Sequence, residues 1–223
     1  MVPGSVACWV FLSCLEVLTT CERFNDSTQV EAYSLYTAGL WSYAREKLKE
    51  LGELCGLMPS QTAGSEQLHM VVGLLSGMGE DPYSDPKTLT PHARLREALS
   101  SKESFLKHYL DLSEHTMITF KHIGRMRSAR LVGKDLADLY IQMGEHRKAV
   151  PFLLDLLRTY TDEGWTRLAL LMQKEVACCY FATEDWPRFV RTSIQLSAQA
   201  ALAHDQRVHH FEQAQDKMSA LQD

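Results

Sequence analysis

The stretch HDQRVHHFEQ near the C-terminus gathers side chains that bind transition metals, namely His204, His209 and His210 with the carboxylates of Asp205 and Glu212. Zinc sites on one helix use ligands one turn apart, as in His-Glu-x-x-His, and this stretch lacks that pattern. In helical register His204 and His209 lie on different faces. The stretch therefore predicts a solvated last helix, and we expect no metal and no cofactor.

Two further segments contain residue types used in catalysis. GLLSGMGEDP is rich in glycine, but no Lys-Ser or Lys-Thr follows it to hold phosphate and magnesium. Cys178 and Cys179 have no obvious histidine or acid partner that would activate a thiol. We therefore predict a protein that is not an enzyme. The alternative is a small all-α enzyme or metal-binding accessory protein that uses the histidine-rich tail.

The segment KHIGRMRSARLVGK, residues 121–134, is basic in a chain whose formal net charge is -5. It contains no acid and five cations, which are Lys121, Arg125, Arg127, Arg130 and Lys134. Such a strip predicts a surface that binds an acidic partner or an anionic membrane. The alternative is a solvated face paired with Asp135, Asp138 or the acids around Glu80.

The composition is that of an ordinary globular protein, with 223 residues, 45% hydrophobic and 23% charged. The negative net charge gives no reason to expect a nucleic acid as partner. The six cysteines form no CxxC pair, so we interpret them as buried, reduced thiols.

The apolar segment VACWVFLSCLEVL, residues 6–18, is interpreted as a buried helix. No basic residue precedes it, Glu16 interrupts it, and it is too short to span a bilayer. The alternative is a cleaved signal sequence.

A long helix is predicted from the N-cap candidates Asn25, Asp26 and Ser27 to about Leu54. Apolar residues recur at helical spacing and predict a buried stripe of Val30, Tyr33, Leu35, Tyr36, Leu40, Trp41, Ala44, Leu48 and Leu51. The charged residues predicted on the solvated side are Arg45, Glu46, Lys47, Lys49 and Glu50.

An aromatic residue, a glycine and an alanine recur together every twenty residues. The three sets are Phe120, Gly124 and Ala129; Tyr140, Gly144 and Ala149; and Tyr160, Gly164 and Ala169. A fourth set keeps Tyr180 but has Glu184 and Phe189 in the other two places. Twenty residues accommodate roughly sixteen of helix and four of turn. We expect each glycine to end a helix with positive φ and each alanine to lie where helices approach closely.

These patterns predict an all-α fold of antiparallel helical hairpins, stacked as an α-solenoid of the tetratricopeptide or HEAT type with about 20 residues per helix-turn unit. The alternative is a plain antiparallel bundle. Four parts are predicted: an N-terminal helical group over residues 1–78, a Pro/Gly-rich linker with a short helix over 79–101, helical repeats over 102–203, and a C-terminal helix or tail over 204–223.

Three segments carry a resemblance to a known family. They are GLWSYAREKLKELGELCGLMP, HMVVGLLSGMG and, most strongly, ALSSKESFLKHYLDLSEHTMITFKHIGRMRSARLVGKDLADLY. The sequence resembles an internal α-helical segment of the large-subunit family of the trafficking protein particle (TRAPP) complex known as subunit 10. The resemblance covers roughly residues 6 to 200 and matches no catalytic motif.

The resemblance implies a role as a scaffold segment of a TRAPP II-type tethering complex in Golgi and endosome-to-Golgi trafficking. It implies other TRAPP subunits as partners and, indirectly, a Rab-type small GTPase that other subunits activate. It further implies a cytoplasmic protein that reaches Golgi membranes through the complex, with no nucleic acid or small-molecule substrate.

Overall fold

The computed structural model describes residues 3–24, 30–79 and 90–219. Over these ranges the chain forms ten α-helices and no strand, which confirms the predicted all-α class. The helices are α1 Ser5–Arg23, α2 Val30–Leu54, α3 Ser65–Gly77, α4 Pro91–Ala98, α5 Lys102–His122, α6 Met126–Gln142, α7 His146–Asp162, α8 Thr166–Ala182, α9 Trp186–Ser197 and α10 His204–Ser219. The N-cap candidates Asn25, Asp26 and Ser27 and the linker residues 80–89 lie outside the described ranges.

The helices form two compact units, Met1–Val132 and Gly133–Asp223, and the division falls inside α6. The division into four parts at residues 79, 102 and 204 stays a prediction.

In the first unit α2 packs against both α1 and α5, and α4 packs against α1 and α5. Residues 6–18 lie in α1, which buries Phe11, Leu15 and Leu18 and exposes Trp9. By length and composition alone α1 is also apolar enough to cross a membrane, a property that core helices of soluble proteins and signal sequences share, so both interpretations of residues 6–18 stay open.

The predicted stripe of α2 is correct in its second half and wrong in its first. Its buried apolar members are Trp41, Ala44, Leu48 and Leu51. In contrast, Val30, Leu35 and Tyr36 are exposed, and Tyr36 is 80% exposed. The buried face begins instead with small and polar residues, which are Ser34, Thr37 and Ala38. Small residues are favoured where another helix approaches closely. A prediction based only on apolar spacing therefore missed Ser34, Thr37 and Ala38 and chose exposed apolar residues instead.

Arg45 was predicted on the solvated side of α2, and this is wrong, because the residue is only 5% exposed. Its Nη1 donates a hydrogen bond to the hydroxyl oxygen of Tyr109, 3.0 Å away on α5. The guanidinium carbon also lies 6.0 Å from the centroid of the same ring. A buried guanidinium requires such hydrogen bonds, and α5 supplies one.

Helices α2 and α5 approach each other closely at Gly52. A Cβ atom built on Gly52 would lie 2.8 Å from Cε1 of Phe105 and closer still to Cζ and Cε2. Phe105 is fully buried, so its ring has no free space into which to move. The loop after α2 is also held by α5, since Lys102 Nζ donates to the carbonyl oxygens of Pro59 at 2.7 Å and Gln61 at 2.8 Å.

The twenty-residue repeat is a repeat of helices and turns. Four helices begin twenty residues apart, at Met126, His146, Thr166 and Trp186, and the first three are each 17 residues long. Within the second unit each of α7, α8 and α9 packs on the helix that follows it. This nearest-neighbour packing is typical of a solenoid.

The repeated glycines end helices as predicted. Gly124, Gly144 and Gly164 have φ values of 74°, 76° and 77°. Glu184 occupies the fourth equivalent position with φ 56°. In the described ranges every other residue with positive φ is a glycine. In every turn the next amide donates to the carbonyl of the repeated aromatic residue, as from Glu145 N to Tyr140 O at 2.8 Å. This bond is the signature of a Schellman turn.

The repeated alanines follow the prediction in part. Ala129 and Ala149 are fully buried. Ala169 is half-buried, whereas Phe189, which replaces alanine in the fourth set, is 4% exposed. The expectation of a close approach at Ala169 is therefore not met in full.

We predict that Gly52→Ala lowers the free energy of unfolding by about 1–2 kcal/mol. The added methyl group forces the buried Phe105 ring to shift, which costs more than the gain in helix propensity of about 1 kcal/mol. Denaturant melts measure the change. Gly39→Ala is the matched control on the same helix, since its Cβ meets nothing within 4 Å and the change should be stabilising. Equal stabilisation by both substitutions would contradict the close approach.

We further predict that Glu184→Gly raises the free energy of unfolding by about 0.5–1 kcal/mol, because glycine adopts positive φ without a Cβ clash. The reciprocal control is Gly164→Glu, which should lose a similar amount, as no neighbouring atom lies within 4 Å of the added Cβ. Thermal or denaturant melts measure the free energy of unfolding. If Glu184→Gly and the unsubstituted chain have equal values, Glu184 is not strained at this turn.

Candidate interaction surface

Four of the five cations of the predicted strip lie around the turn that joins α5 to α6. Lys121 is in the last turn of α5, and Arg125 immediately precedes α6. Lys121, Arg125 and Arg127 are exposed, and Arg130 is half-buried. Arg127 and Arg130 each also take part in an interaction within the chain. The strip therefore presents positive charge to solvent at this turn.

The start of α6 is an unfavourable place for a cation. The Arg125 carbonyl accepts the first helical hydrogen bond, from Ala129 N at 3.0 Å, so Arg125 occupies the N-cap position. Its side chain has no oxygen that could accept a bond from the exposed amides of the first turn. The first turn of α6 holds no acid either. Because the helix macrodipole repels cations at this end, the positive charges of Arg125 and Arg127 are unfavourable toward the dipole of α6.

Exposed apolar side chains lie among these cations in the first unit. Ile118 is 61% exposed and Leu131 is 67% exposed. Leu131 lies one turn after Arg127, so the two share a face of α6. A surface that combines cations with large apolar side chains suits a partner that carries both acids and apolar groups.

Lys134 differs from the other four cations, because it is engaged within the second unit. Its Nζ forms an ion pair and a hydrogen bond with Asp138 on the same helix, and lies 3.1 Å from Glu175 Oε2 on α8. Burial alone would lower the pKa of Lys134, but the bonds to the two carboxylates outweigh it and raise that pKa. Lys134 thus holds α6 to α8 in this unit.

The histidines and acids of α10 were the side chains considered for metal binding. Over residues 3–24, 30–79 and 90–219, no group of three or more His, Cys, Asp or Glu side chains is arranged to hold a metal ion. On α10 the rings of His209 and His210 are 5.9 Å apart, while His204 is exposed.

One juxtaposition in the second unit was missed by the sequence analysis. Cys178 of α8 lines an open groove of about 610 Å³ together with His209, His210 and Asp205 of α10. Cys178 is exposed, which corrects the expectation that the thiols are buried, and Cys21 is half-buried. The other four cysteines are buried, and burial raises the pKa values of Cys8, Cys55 and Cys179 to about 11. No spacing rule could bring α8 and α10 together from the sequence.

Comparisons with known proteins support the resemblance. The family model described as "Foie gras liver health family 1" matches residues 17–199, a range that includes the whole basic strip. Trafficking protein particle complex subunit 10 of Homo sapiens is 42% identical over 222 residues, which cover 99% of this chain and 18% of the relative. The Mus musculus protein of the same name is 43% identical over 206 residues, covering 92% of this chain and 16% of the relative.

The Drosophila melanogaster protein of that name is 38% identical over 235 residues, covering 98% of this chain and 20% of the relative. The resemblance to subunit 10 predicted from the sequence is therefore confirmed. The chain spans about a fifth of the length of these relatives. No solved structure matches it.

We predict that Arg125→Asp stabilises the protein by about 0.5–2 kcal/mol, because aspartate caps the free amides of α6 and complements its dipole. Asp185 shows the effect at the equivalent position of α9, where its Oδ1 accepts from Arg188 N at 3.3 Å. Lys121→Asp makes the same change of charge in the last turn of α5 and should be destabilising. Denaturant melts that shift in the same direction for both variants would rule out this account.

Proposed function

Because the chain belongs to the Foie gras liver health family 1, we propose that it is a non-catalytic scaffold segment of a TRAPP II-type vesicle-tethering complex. The observation that carries the proposal is the 38–43% identity, over nearly the whole chain, to proteins named as subunits of a trafficking protein particle complex. The identity spans both helical units, so the proposal concerns the whole described chain.

The fold supports a role in assembly. Helices that pack on their nearest neighbours build an extended surface from a short, repeated unit, and proteins use such surfaces to hold partners. In this chain the large apolar side chains Ile118, Leu131 and Trp165 are all at least half exposed. These side chains provide apolar contact area for a partner.

The partners in this proposal are other TRAPP subunits and, indirectly, a Rab-type small GTPase. Nucleotide exchange on the GTPase is assigned to other subunits of the complex. The chain would be cytoplasmic and would reach the Golgi, in Golgi and endosome-to-Golgi trafficking, as a peripheral part of the assembly. No nucleic acid and no small-molecule substrate is part of this role.

Within this role we assign the strip around the α5–α6 turn to the binding of an acidic partner. The supporting observation is that Arg125 and Arg127 are exposed at the end of a helix where cations are disfavoured. Lys121 and Arg130 add to the same positive field. Lys134 is not assigned to this binding, because its ammonium is engaged with Asp138 and Glu175 in the second unit.

We expect that Arg125→Glu, Arg127→Glu and Arg130→Glu together reduce binding of the chain to the other TRAPP subunits by on the order of tenfold at low salt, mainly through slower association. The measurement is affinity capture from cytosol with the tagged chain, followed by quantification of each TRAPP subunit by mass spectrometry. Circular dichroism checks that helicity is retained.

The control reverses three exposed arginines elsewhere, Arg147, Arg158 and Arg167, which produces the same change of net charge. This variant should bind as the unsubstituted chain does. If the strip variant captures as much of each TRAPP subunit as the control variant does, the strip is only a solvated face and binds no partner. Failure of the unsubstituted chain to capture any TRAPP subunit would overturn the proposed function itself.

A further inference from the structure

Three aromatic rings lie together in the second unit, where α8 turns into α9. Phe181 is in the last turn of α8, and Trp186 and Phe189 are in the first turn of α9. Each pair of rings meets edge to face, with centroid distances between 5.2 and 6.3 Å and interplanar angles between 64° and 84°. This arrangement is favoured between aromatic rings, and it leaves ring faces open to a further group. We call these three rings the aromatic cage.

The aromatic cage holds a cation from the same chain. Lys217, in the last turn of α10, places its Nζ atom 4.3 Å from the ring centroid of Trp186 and 5.4 Å from that of Phe181. A cation within about 6 Å of a ring centroid is attracted by the negative face of the ring. Among the residues that the structure describes, Lys217 contacts these rings and forms no ion pair. The cage is therefore able to hold an ammonium group, and α10 supplies one.

Lys217 reaches the cage from a helix end that can release it. Ala214 is buried, but most residues of α10 are exposed, and Lys217 itself is half-buried. The helix ends at Ser219, two residues after Lys217. Because helix ends open at a low free-energy cost, a competing ammonium can displace Lys217 while the rest of the second unit stays folded. Phe181 and Phe189 also line the open groove between α8 and α10, so a ligand can approach the rings from solvent.

A carboxylate occupies the same turn in spite of backbone strain. Glu184 has φ 56°, whereas the equivalent positions of the three preceding turns are glycines. Glu184 is exposed, and no ion pair within the described part of the chain engages it. Strained residues cluster at functional sites, where the side chain is retained although another residue would suit the backbone better. Since Glu184 lies between Phe181 and Trp186 in sequence, its negative charge is placed to attract a cation toward the cage.

We propose that the aromatic cage and Glu184 form a binding site for the ammonium group of a lysine on a partner protein. The partner's lysine replaces Lys217, its ammonium lies against Trp186 and Phe181, and Glu184 attracts it. The cage suits this side chain, because the group it holds within the chain is itself a lysine. Lys217 lowers the apparent affinity, since only the molecules whose cage is open can bind. The site takes a basic partner and does not depend on the proposed scaffold function.

The test titrates the full chain into Nα-acetyl-lysine N-methylamide and follows the ε-methylene resonance by NMR. Protons above an aromatic face resonate at higher field, so we expect a saturable upfield shift. Lys217→Ala vacates the cage and should bind the lysine amide about five- to tenfold more tightly than the unsubstituted chain does. Nα-acetyl-norleucine N-methylamide lacks only the ε-amino group and should bind to Lys217→Ala at least about fivefold more weakly than the lysine amide. Equal binding of the two amides would show an apolar contact without cation recognition and overturn the proposal.

Further substitutions in the Lys217→Ala chain locate the site. Trp186→Leu should abolish the shift, whereas Trp165→Leu, at an exposed tryptophan of the same unit, should leave binding unchanged. Glu184→Gln removes the charge and should weaken binding by about two- to threefold. Circular dichroism checks folding, and Phe181→Leu replaces Trp186→Leu if the latter does not fold. Unchanged affinity in Lys217→Ala, or full binding without the cage ring, would overturn the proposal. Binding of choline but not of the lysine amide would assign the cage to a free quaternary ammonium and overturn it as well.

Discussion

The left-handed residue that ends a helix every twenty residues is the constraint on which the repeated part of the structure depends. A helix of 17 residues and a turn of three return the chain to the same rotational phase, so side chains twenty residues apart meet similar surroundings. One extra residue inserted into a helix would rotate every later side chain of that helix by about 100°. An insertion between Tyr140 and Glu145 would also break the hydrogen bond from Glu145 N to Tyr140 O. The buried positions of Ala129, Ala149 and Phe189 follow from that fixed phase.

The parts of the structure that were predictable are those governed by local backbone chemistry. Positive φ selects glycine, so Gly124, Gly144 and Gly164 revealed the turns, and helix lengths followed from their spacing. The fourth turn was less evident because Glu184 accepts the same conformation at an energetic cost. Apolar spacing identified the buried stripe of α2 only from Trp41 onward.

What could not be predicted depends on contacts between helices distant in sequence. Arg45 can be buried because its guanidinium donates to the Tyr109 hydroxyl of α5. The spacing of residues within α2 cannot predict a partner on another helix. In the same way the sequence does not show that Lys134 meets Glu175, or that Cys178 shares a groove with histidines of α10. The charge of the basic strip was evident from composition, but the separation of Lys134 from the other four cations needed tertiary structure.

The Lys102 side chain has a consequence for the order in which the chain folds. Its ammonium satisfies the carbonyls of Pro59 and Gln61, which precede it by 43 and 41 residues. The loop after α2 therefore reaches its final hydrogen bonding only when a long segment has closed and α5 has docked, a step that costs loop entropy. In contrast, each of α7, α8 and α9 packs on its immediate successor, where contacts form between near neighbours in sequence. Since local contacts form faster than distant ones, we expect α7 to α10 to pack on one another before the loop after α2 reaches its final hydrogen bonding.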